Sequence, residues 1–339
     1  MLHQYYLKNK VRIWISISAG LLAAIATYAV QVRFYDNKAA DFTWALVGAR
    51  QWLHGENPYT MPTDLTVYPY EPSPLYYPFP AVLLVLPLSF LPDVIAATIW
   101  IGLSVGLMTY TLTAEGLWRI AILASAPLWA AVAQVQWTPL LVSLWIWPVL
   151  LPLALLKPNS GVALASKQIT KKGLIGVLLI ILISIILLPS WPLSWIESAK
   201  HGRHLIPILF GPGPLLIFAA FRWRNPEARL LLLLAFMPQT LYFYDQLALL
   251  LIAKNLRQQL IIVIASWVAL GATVFIGPTW NWPALWSPSL IDGPAGWIIV
   301  FIYGTALIFT ISSKQNVFEP KNRQIIEKAG GVRTTLKST

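Results

Sequence analysis

The sequence predicts an all-α polytopic membrane protein, on three observations. Hydrophobic residues make up 57% of the 339 residues and charged ones 11%, against about 45–50% and about 25% in soluble domains. Mean hydropathy is +0.65. The apolar stretches are continuous Leu/Ile/Ala runs, unlike the roughly 10-residue alternating segments of a membrane β-barrel. A helix needs roughly 20 such residues to cross a hydrocarbon core about 30 Å thick. About nine to eleven transmembrane or broken membrane helices are expected. They form one membrane domain over residues 1–312, ahead of a basic cytoplasmic tail at 313–339.

The elements follow in order. Lys8, Lys10 and Arg12 precede an apolar run at 13–30, which reads as a retained signal-anchor with its N-terminus in the cytoplasm. Residues 31–78 form a long first outer loop holding Asp36, Asp41, Glu56, Asp64 and Glu71, five of only 13 acidic residues. Within it, 40–53 reads as a short amphipathic helix, since Asp41, Trp44, Ala45, Gly48 and Trp52 share one face at helical spacing. Gly55, Asn57 and Pro58 end that helix. The proline-rich stretch 68–80 is extended.

Apolar sequence then runs to about Ala114, broken at Pro87 and Pro92, and again over 117–133, interrupted at Pro127. Gln134-Val135-Gln136-Trp137-Thr138-Pro139 is a polar break. The run 140–165 is kinked by Pro148, Pro152 and the Lys157-Pro158-Asn159 triplet. One of these segments is expected to be re-entrant or broken at depth, which is tolerated only where backbone lines a cavity. Residues 174–188 read as a clean span and 191–205 as a second, polar-aromatic outer loop. The run 206–220 leads to a turn with Arg222, Arg224 and Arg229. The next run, 230–252, is broken at Met237–Thr240 and carries Tyr242, Tyr244 and Asp245. Two further spans, near 260–276 and 297–311, flank a loop with Trp280, Trp282 and Trp286.

The formal net charge of +11 follows this layout. Lys and Arg cluster at the termini, in the Lys167–Lys172 loop and in the arginine turn, so these lie inside and the Asp41 loop outside. That predicts a multi-pass protein of the plasma membrane with both termini cytoplasmic. No basic face with interleaved aromatics appears, which argues against nucleic acid as a partner. Cysteine is absent, which excludes disulfides, zinc–thiolate sites and thiol catalysis. Four scattered histidines suggest no metal. The 17 tryptophans suit interfacial belts.

Asp41 is the residue to explain, because an ionisable group beside a membrane segment is costly unless paired or solvated. As an N-cap it would accept backbone N–H bonds worth about 1 kcal/mol. As a desolvated carboxylate it would be tuned toward neutral pKa and act as a general base. Arg50 and His54, farther along the same helix, either snorkel to headgroups or bind a lipid phosphate. Lys157, between Leu156 and Pro158, requires an anion, a carboxylate or water. His201, Arg203 and His204 form a cationic cluster on the second outer loop. Tyr244 and Asp245 face a cavity, and Gln134 and Gln136 are hydrogen bonders of the helix break.

In this order the motifs resemble a known family. Asp41 with Ala49-Arg50 and Gly55-Glu-Asn-Pro58-Tyr59 is similar to the opening of glycosyltransferase family 87 (the DUF2029 group), of the C-type glycosyltransferases that use polyprenyl-phosphate sugars. Tyr77-Pro78-Phe-Pro80, Gln136, Lys157-Pro158-Asn159 and Pro238 to Asp245 resemble its later elements, over about residues 1–255. Val135 and Asn159 stand where the family has Gly and Gln. The resemblance implies transfer of a monosaccharide, mannose among the candidates, from a polyprenyl-phosphate donor to a lipid or glycan acceptor on the outer face, with inversion. It implies Asp41 as the base, and no cofactor or metal. The leaving phosphate needs cations, since charge develops there. Lys157, His201, Arg203, His204 and Arg50 are the candidates, with Trp44, Tyr59, Tyr77, Gln136, Tyr244 and Asp245 in the substrate cavity. A transporter or flippase of lipid-linked sugars is the alternative from another class, as is an inactive family member serving as an assembly subunit.

Overall fold

Apolar surroundings leave backbone N–H and C=O groups no water to bond, so a chain of this composition satisfies them within helices. A computed structural model describes residues 2–61, 74–202, 204–276 and 293–312, and its named elements are all helical. One isolated antiparallel bridge, Leu205 with Gln239, is the exception among the described residues. Arg203, residues 62–73, the loop with Trp280, Trp282 and Trp286, and the tail lie outside the described residues.

Helix α1 (Leu2–Phe34) overruns the expected span at both ends and packs antiparallel along α4 (Asp93–Leu112). The contact is a seam of glycines. A Cβ on Gly20 would stand 2.6 Å from the Gly102 carbonyl oxygen and 3.3 Å from the Gly106 Cα. Arg12 closes one end of the seam, donating to the Tyr110 carbonyl at 2.7 Å and to the Thr113 hydroxyl at 3.3 Å. Thr27 and Gln31 reach the carbonyls of Val132 and Ala133 at the end of α5 (Ala126–Ala133).

Among the described residues, four helices are long and apolar enough to cross a membrane: Asn9–Phe34, Asp93–Leu112, Leu256–Phe275 and Pro294–Ser312. A fifth crossing arises if α8 (Lys171–Leu187) and α9 (Trp191–Lys200), bent by 94°, count as one. The expected nine to eleven is therefore not reached by full-length helices. The remaining apolar sequence is split into α3 (Phe79–Val85), α5, α6 (Thr138–Ile146), α7 (Pro158–Ala165), α10 (Pro226–Phe236) and the 3₁₀ runs Leu117–Ala124, Pro148–Leu155, Gly213–Arg222 and Phe243–Ile252. Proline is the physical cause at most breaks: it lacks an N–H and pushes the residue before it out of the α region. The C-terminal span is itself composite, with a π segment, Ile298–Tyr303, between α12 (Pro294–Trp297) and α13 (Gly304–Ser312). Helix α11 (Leu256–Ile276) is uninterrupted.

One expectation needs correction, and another gains detail. The 174–188 span does not end cleanly but turns sharply into α9, so the first ten residues of the expected 191–205 loop are helical. Pro192 falls in the first turn, where its missing N–H leaves no intrahelical bond unmade. The 40–53 helix is a 3₁₀ turn, Ala40–Phe42, continued by α2 (Thr43–Leu53).

Polar groups gather at two ends. At one end, Arg119 is 4% exposed and binds Glu115 at 2.7 Å, Gln259 at 3.2 Å and the Leu251 carbonyl. Lys167 joins Glu115 at 3.1 Å, Arg229 donates to the Ser166 carbonyl, and Lys254 pairs with Glu227. The 3₁₀ run Phe243–Ile252 links this layer to the opposite end, about 20 Å away at a rise of about 2.0 Å per residue.

Candidate functional site

At the opposite end four chain breaks converge: the loop after α1, the α5–α6 break at 134–137, the entry to α7 at Lys157, and the 237–242 segment after α10. Each exposes backbone that a continuous helix would have satisfied. The side chains there knit the breaks together.

Asp41 caps no helix. Neither the Ala40–Phe42 turn nor α2 has a side-chain cap, and the Ala39 N–H instead donates to the Thr43 hydroxyl at 3.0 Å. The N-cap expectation is thus overturned. One Asp41 carboxylate oxygen instead accepts a short hydrogen bond from the Gln136 amide nitrogen, and the Tyr244 hydroxyl bonds the same carboxylate. Gln136 in turn accepts from Lys157 Nζ at 3.3 Å. Lys157 Nζ lies 2.5 Å from Asp245 Oδ1 and 4.9 Å from the centre of the Tyr244 ring. Thr240 donates to the other Asp245 oxygen at 2.9 Å. The result is a continuous chain: Thr240, Asp245, Lys157, Gln136, Asp41.

Asp245 and Gln136 are 0% and 1% exposed, whereas Thr240 and Lys157 are half-buried. Asp41 keeps a partly exposed edge. Burial pushes its carboxyl up to about 6, against the pull of Lys157 and the hydrogen bonds from Tyr244 and Gln136. Burial and the neighbouring charge of Asp41 raise the Tyr77 hydroxyl, which therefore stays protonated. With both carboxylates ionised, one ammonium faces two negative charges.

The 134–137 break holds this geometry through a strained residue. Val135 adopts φ 51°, in the left-handed region a β-branched residue rarely visits. Its flanking amides are turned onto the loop after α1, Gln134 to the Tyr35 hydroxyl at 2.6 Å and Gln136 to Asp41. Ala40 and Leu241, each beside a member of the cluster, also have positive φ, 43° and 48°. Such outliers cost of order 1–3 kcal/mol each and persist only where the surroundings over-determine them.

An aromatic box backs the cluster. Phe42 stacks on Trp100 at 5.0 Å, Trp137 meets Trp100 at 4.9 Å and Tyr77 at 5.2 Å, and the Trp100 indole N–H reaches the Gln136 carbonyl at 3.4 Å. Beneath Asp245, Gln246 donates to Gln239, which donates to the Tyr303 hydroxyl at 2.7 Å. Helix α9 clamps the remaining wall, with Trp195 and Ser198 donating to the Tyr76 and Leu75 carbonyls at 3.0 and 2.8 Å. The Leu205–Gln239 bridge brings His204 within electrostatic reach of Lys157 and Asp245.

The residues singled out from sequence therefore divide. Asp41, Gln136, Lys157, Tyr244 and Asp245 meet in one cluster, with Tyr77 and His204 at its margin. Tyr59 braces the wall by donating to the Tyr77 carbonyl at 3.1 Å, and Trp44 packs against the core. Arg50 turns away: its guanidinium lies 2.5 Å from Asp93 and donates to the Ser89 and Leu91 carbonyls, which is a helix-joining role in place of the expected phosphate contact. His201 is exposed and bonds the Glu197 carbonyl of its own helix at 3.0 Å, while Glu197 pairs with Lys200. Arg203 is outside the described residues. Thr240, Tyr35, Phe42, Trp100 and Trp137 were missed. Trp137 and Thr240 carry a readable signal, since each lies inside a break that the sequence marks.

No family model matches the chain, and no curated protein or solved structure is significantly similar to it.

Proposed function

We propose that the protein is an integral-membrane glycosyltransferase that moves a monosaccharide from a polyprenyl-phosphate donor to a lipid or glycan acceptor. The single observation that carries this reading is the desolvated carboxylate of half-buried Asp41, tied through Gln136 to Lys157. A base of this kind is half-ionised near pH 6 and mostly ionised at neutral pH, which leaves it ready to take a proton there. Asp41 takes the proton of the acceptor hydroxyl as that oxygen bonds the anomeric carbon. The bond from that carbon to the phosphate oxygen breaks on the opposite face, with inversion, and polyprenyl phosphate leaves with the electron pair. Lys157, shared with Asp245, supplies positive charge where the leaving phosphate gathers its own, and His204, pushed toward its neutral form by burial, offers a ring N–H beside it. The basic residues at the far end support an outward-facing site under the positive-inside rule. The short broken helices then count toward the nine to eleven membrane segments of a C-type arrangement.

The test supplies purified protein with polyprenyl-phosphate sugar and acceptor lipid. D41N abolishes transfer while the chain stays folded; unchanged turnover removes the mechanism.

One observation favours a second reading. Lys157 is already neutralised by Asp245, and a largely desolvated Asp–Lys–Asp cluster at broken helices also suits a proton- or substrate-translocation path. Uptake of lipid-linked sugar into proteoliposomes without bond cleavage would select it.

A further inference from the structure

Gln136 touches both ends of the cluster, and its amide can face only one way. Its Oε1 accepts from the Lys157 ammonium at 3.3 Å, and its Nε2 donates to Asp41. Rotating the amide by half a turn would set oxygen against carboxylate and N–H groups against ammonium. Both contacts would be repulsive, so the charges themselves fix the orientation, an assignment that is ambiguous for an isolated amide. The backbone reinforces this. The left-handed Val135 aims the side chain, and the Trp100 indole holds the Gln136 carbonyl.

We propose that Gln136 is a positioning residue that couples Lys157 to the protonation of Asp41, by holding an N–H donor on the Asp41 carboxylate only while Lys157 holds the amide oxygen. This rests on Asp41 as the titrating centre of the proposed transferase. Two consequences follow from the wiring. Loss of the amide removes a donor that stabilises the ionised carboxylate, so Asp41 binds its proton more tightly. Loss of the Lys157 ammonium frees the amide to turn, which weakens the same donor beyond the loss of direct charge attraction. An anion that draws Lys157 away from Gln136 raises the proton affinity of Asp41 in the same direction.

Dicyclohexylcarbodiimide modifies protonated carboxyls in apolar surroundings, and its adduct on Asp41 is read by peptide mass spectrometry across pH 4.5–9. The full chain in detergent is used, with no sugar donor present. Q136M, close in shape but lacking the amide, should shift the Asp41 labelling midpoint upward by about one pH unit, roughly a tenfold change in proton affinity. Q136N keeps an amide but is too short to span both partners, and should shift it in the same direction. In a Q136M background, K157M should shift the midpoint less than it does in the wild type. Midpoints for Q136M and Q136N equal to the wild type's overturn the coupling. So does an undiminished K157M shift in the Q136M background. A labelling shift in protein that shows no sugar transfer keeps the coupling and removes the transferase reading. Normal transfer with no labelling shift does the reverse.

Discussion

Lys157 Nζ and Asp245 Oδ1 are 2.5 Å apart, and their side chains are 13% and 0% exposed. This is a desolvated ion pair at the point where the four chain breaks meet. Removing one partner strands the other charge, which typically costs about 3–5 kcal/mol. K157M should accordingly lower the thermal midpoint sharply in mild detergent. K157M/D245N, which leaves no buried charge at the pair, should recover most of the loss. A double variant no more stable than K157M would show that the ion pair does not dominate that corner.

Asp41 gives a pH dependence with a definite sign. Its carboxyl is raised from an ordinary 3.8 to about 6, so the folded protein binds this proton more tightly than the unfolded chain does. The group therefore favours folding below about pH 4, and that contribution is lost as pH rises through 6. D41N should raise the melting temperature relative to the wild type at pH 7.5, with a gain that shrinks by pH 5. If transfer is observed, its rate should fall on the acid side with a midpoint near 6. A gain independent of pH would refute the raised carboxyl.

Val135 is tested by comparing two small replacements. Both V135A and V135G lose the buried side chain, but only Gly tolerates φ 51° without strain. V135G should be more stable than V135A by about 1 kcal/mol, the reverse of the usual order in regular structure. Urea or thermal unfolding of the two variants reads the difference directly.

Arg50 should behave as a structural residue. R50M breaks its contact with Asp93 and two carbonyls, costing about 1.5–3 kcal/mol. In a transfer assay the donor KM should stay at the wild-type value. A donor KM raised tenfold in folded R50M would return Arg50 to the phosphate site.

Much of this arrangement was legible one segment at a time. The apolar runs near 93–114 and 260–276 read as helices because nothing interrupts them, and the polar break at 134–139 and the proline after Lys157 announced themselves. What the sequence withheld was the pairing between distant breaks. Gln136 and Asp41 are 95 residues apart, and no local pattern states that one amide will meet that carboxylate. The partner of Lys157 was named only as a class, a carboxylate or other anion, because the bulk of Leu156 and Pro158 says that an anion is needed and not which. The 191–205 segment was misread because Pro192 and its polar residues resemble a loop, whereas a proline in the first turn is compatible with a helix. Asp41 reads as a cap from its position at the start of the 40–53 helix. Backbone at Ala40, with φ 43°, starts that helix otherwise and leaves the carboxylate free for Gln136.

The glycine contact between α1 and α4 has a further consequence, one of height. With the Gly102 oxygen so close to Gly20, no side chain can intervene to let one helix slide past the other, so the pair acts as a single splint. From Gly20 to Phe34 the splint rises about 21 Å at about 1.5 Å per residue, and Asp41 hangs just beyond its tip. Inserting one residue into α1 after the seam would lift and rotate the carboxylate away from Gln136. Three glycines in an apolar stretch thus act as a height gauge, fixing how far beyond the α1–α4 contact the ionisable group stands.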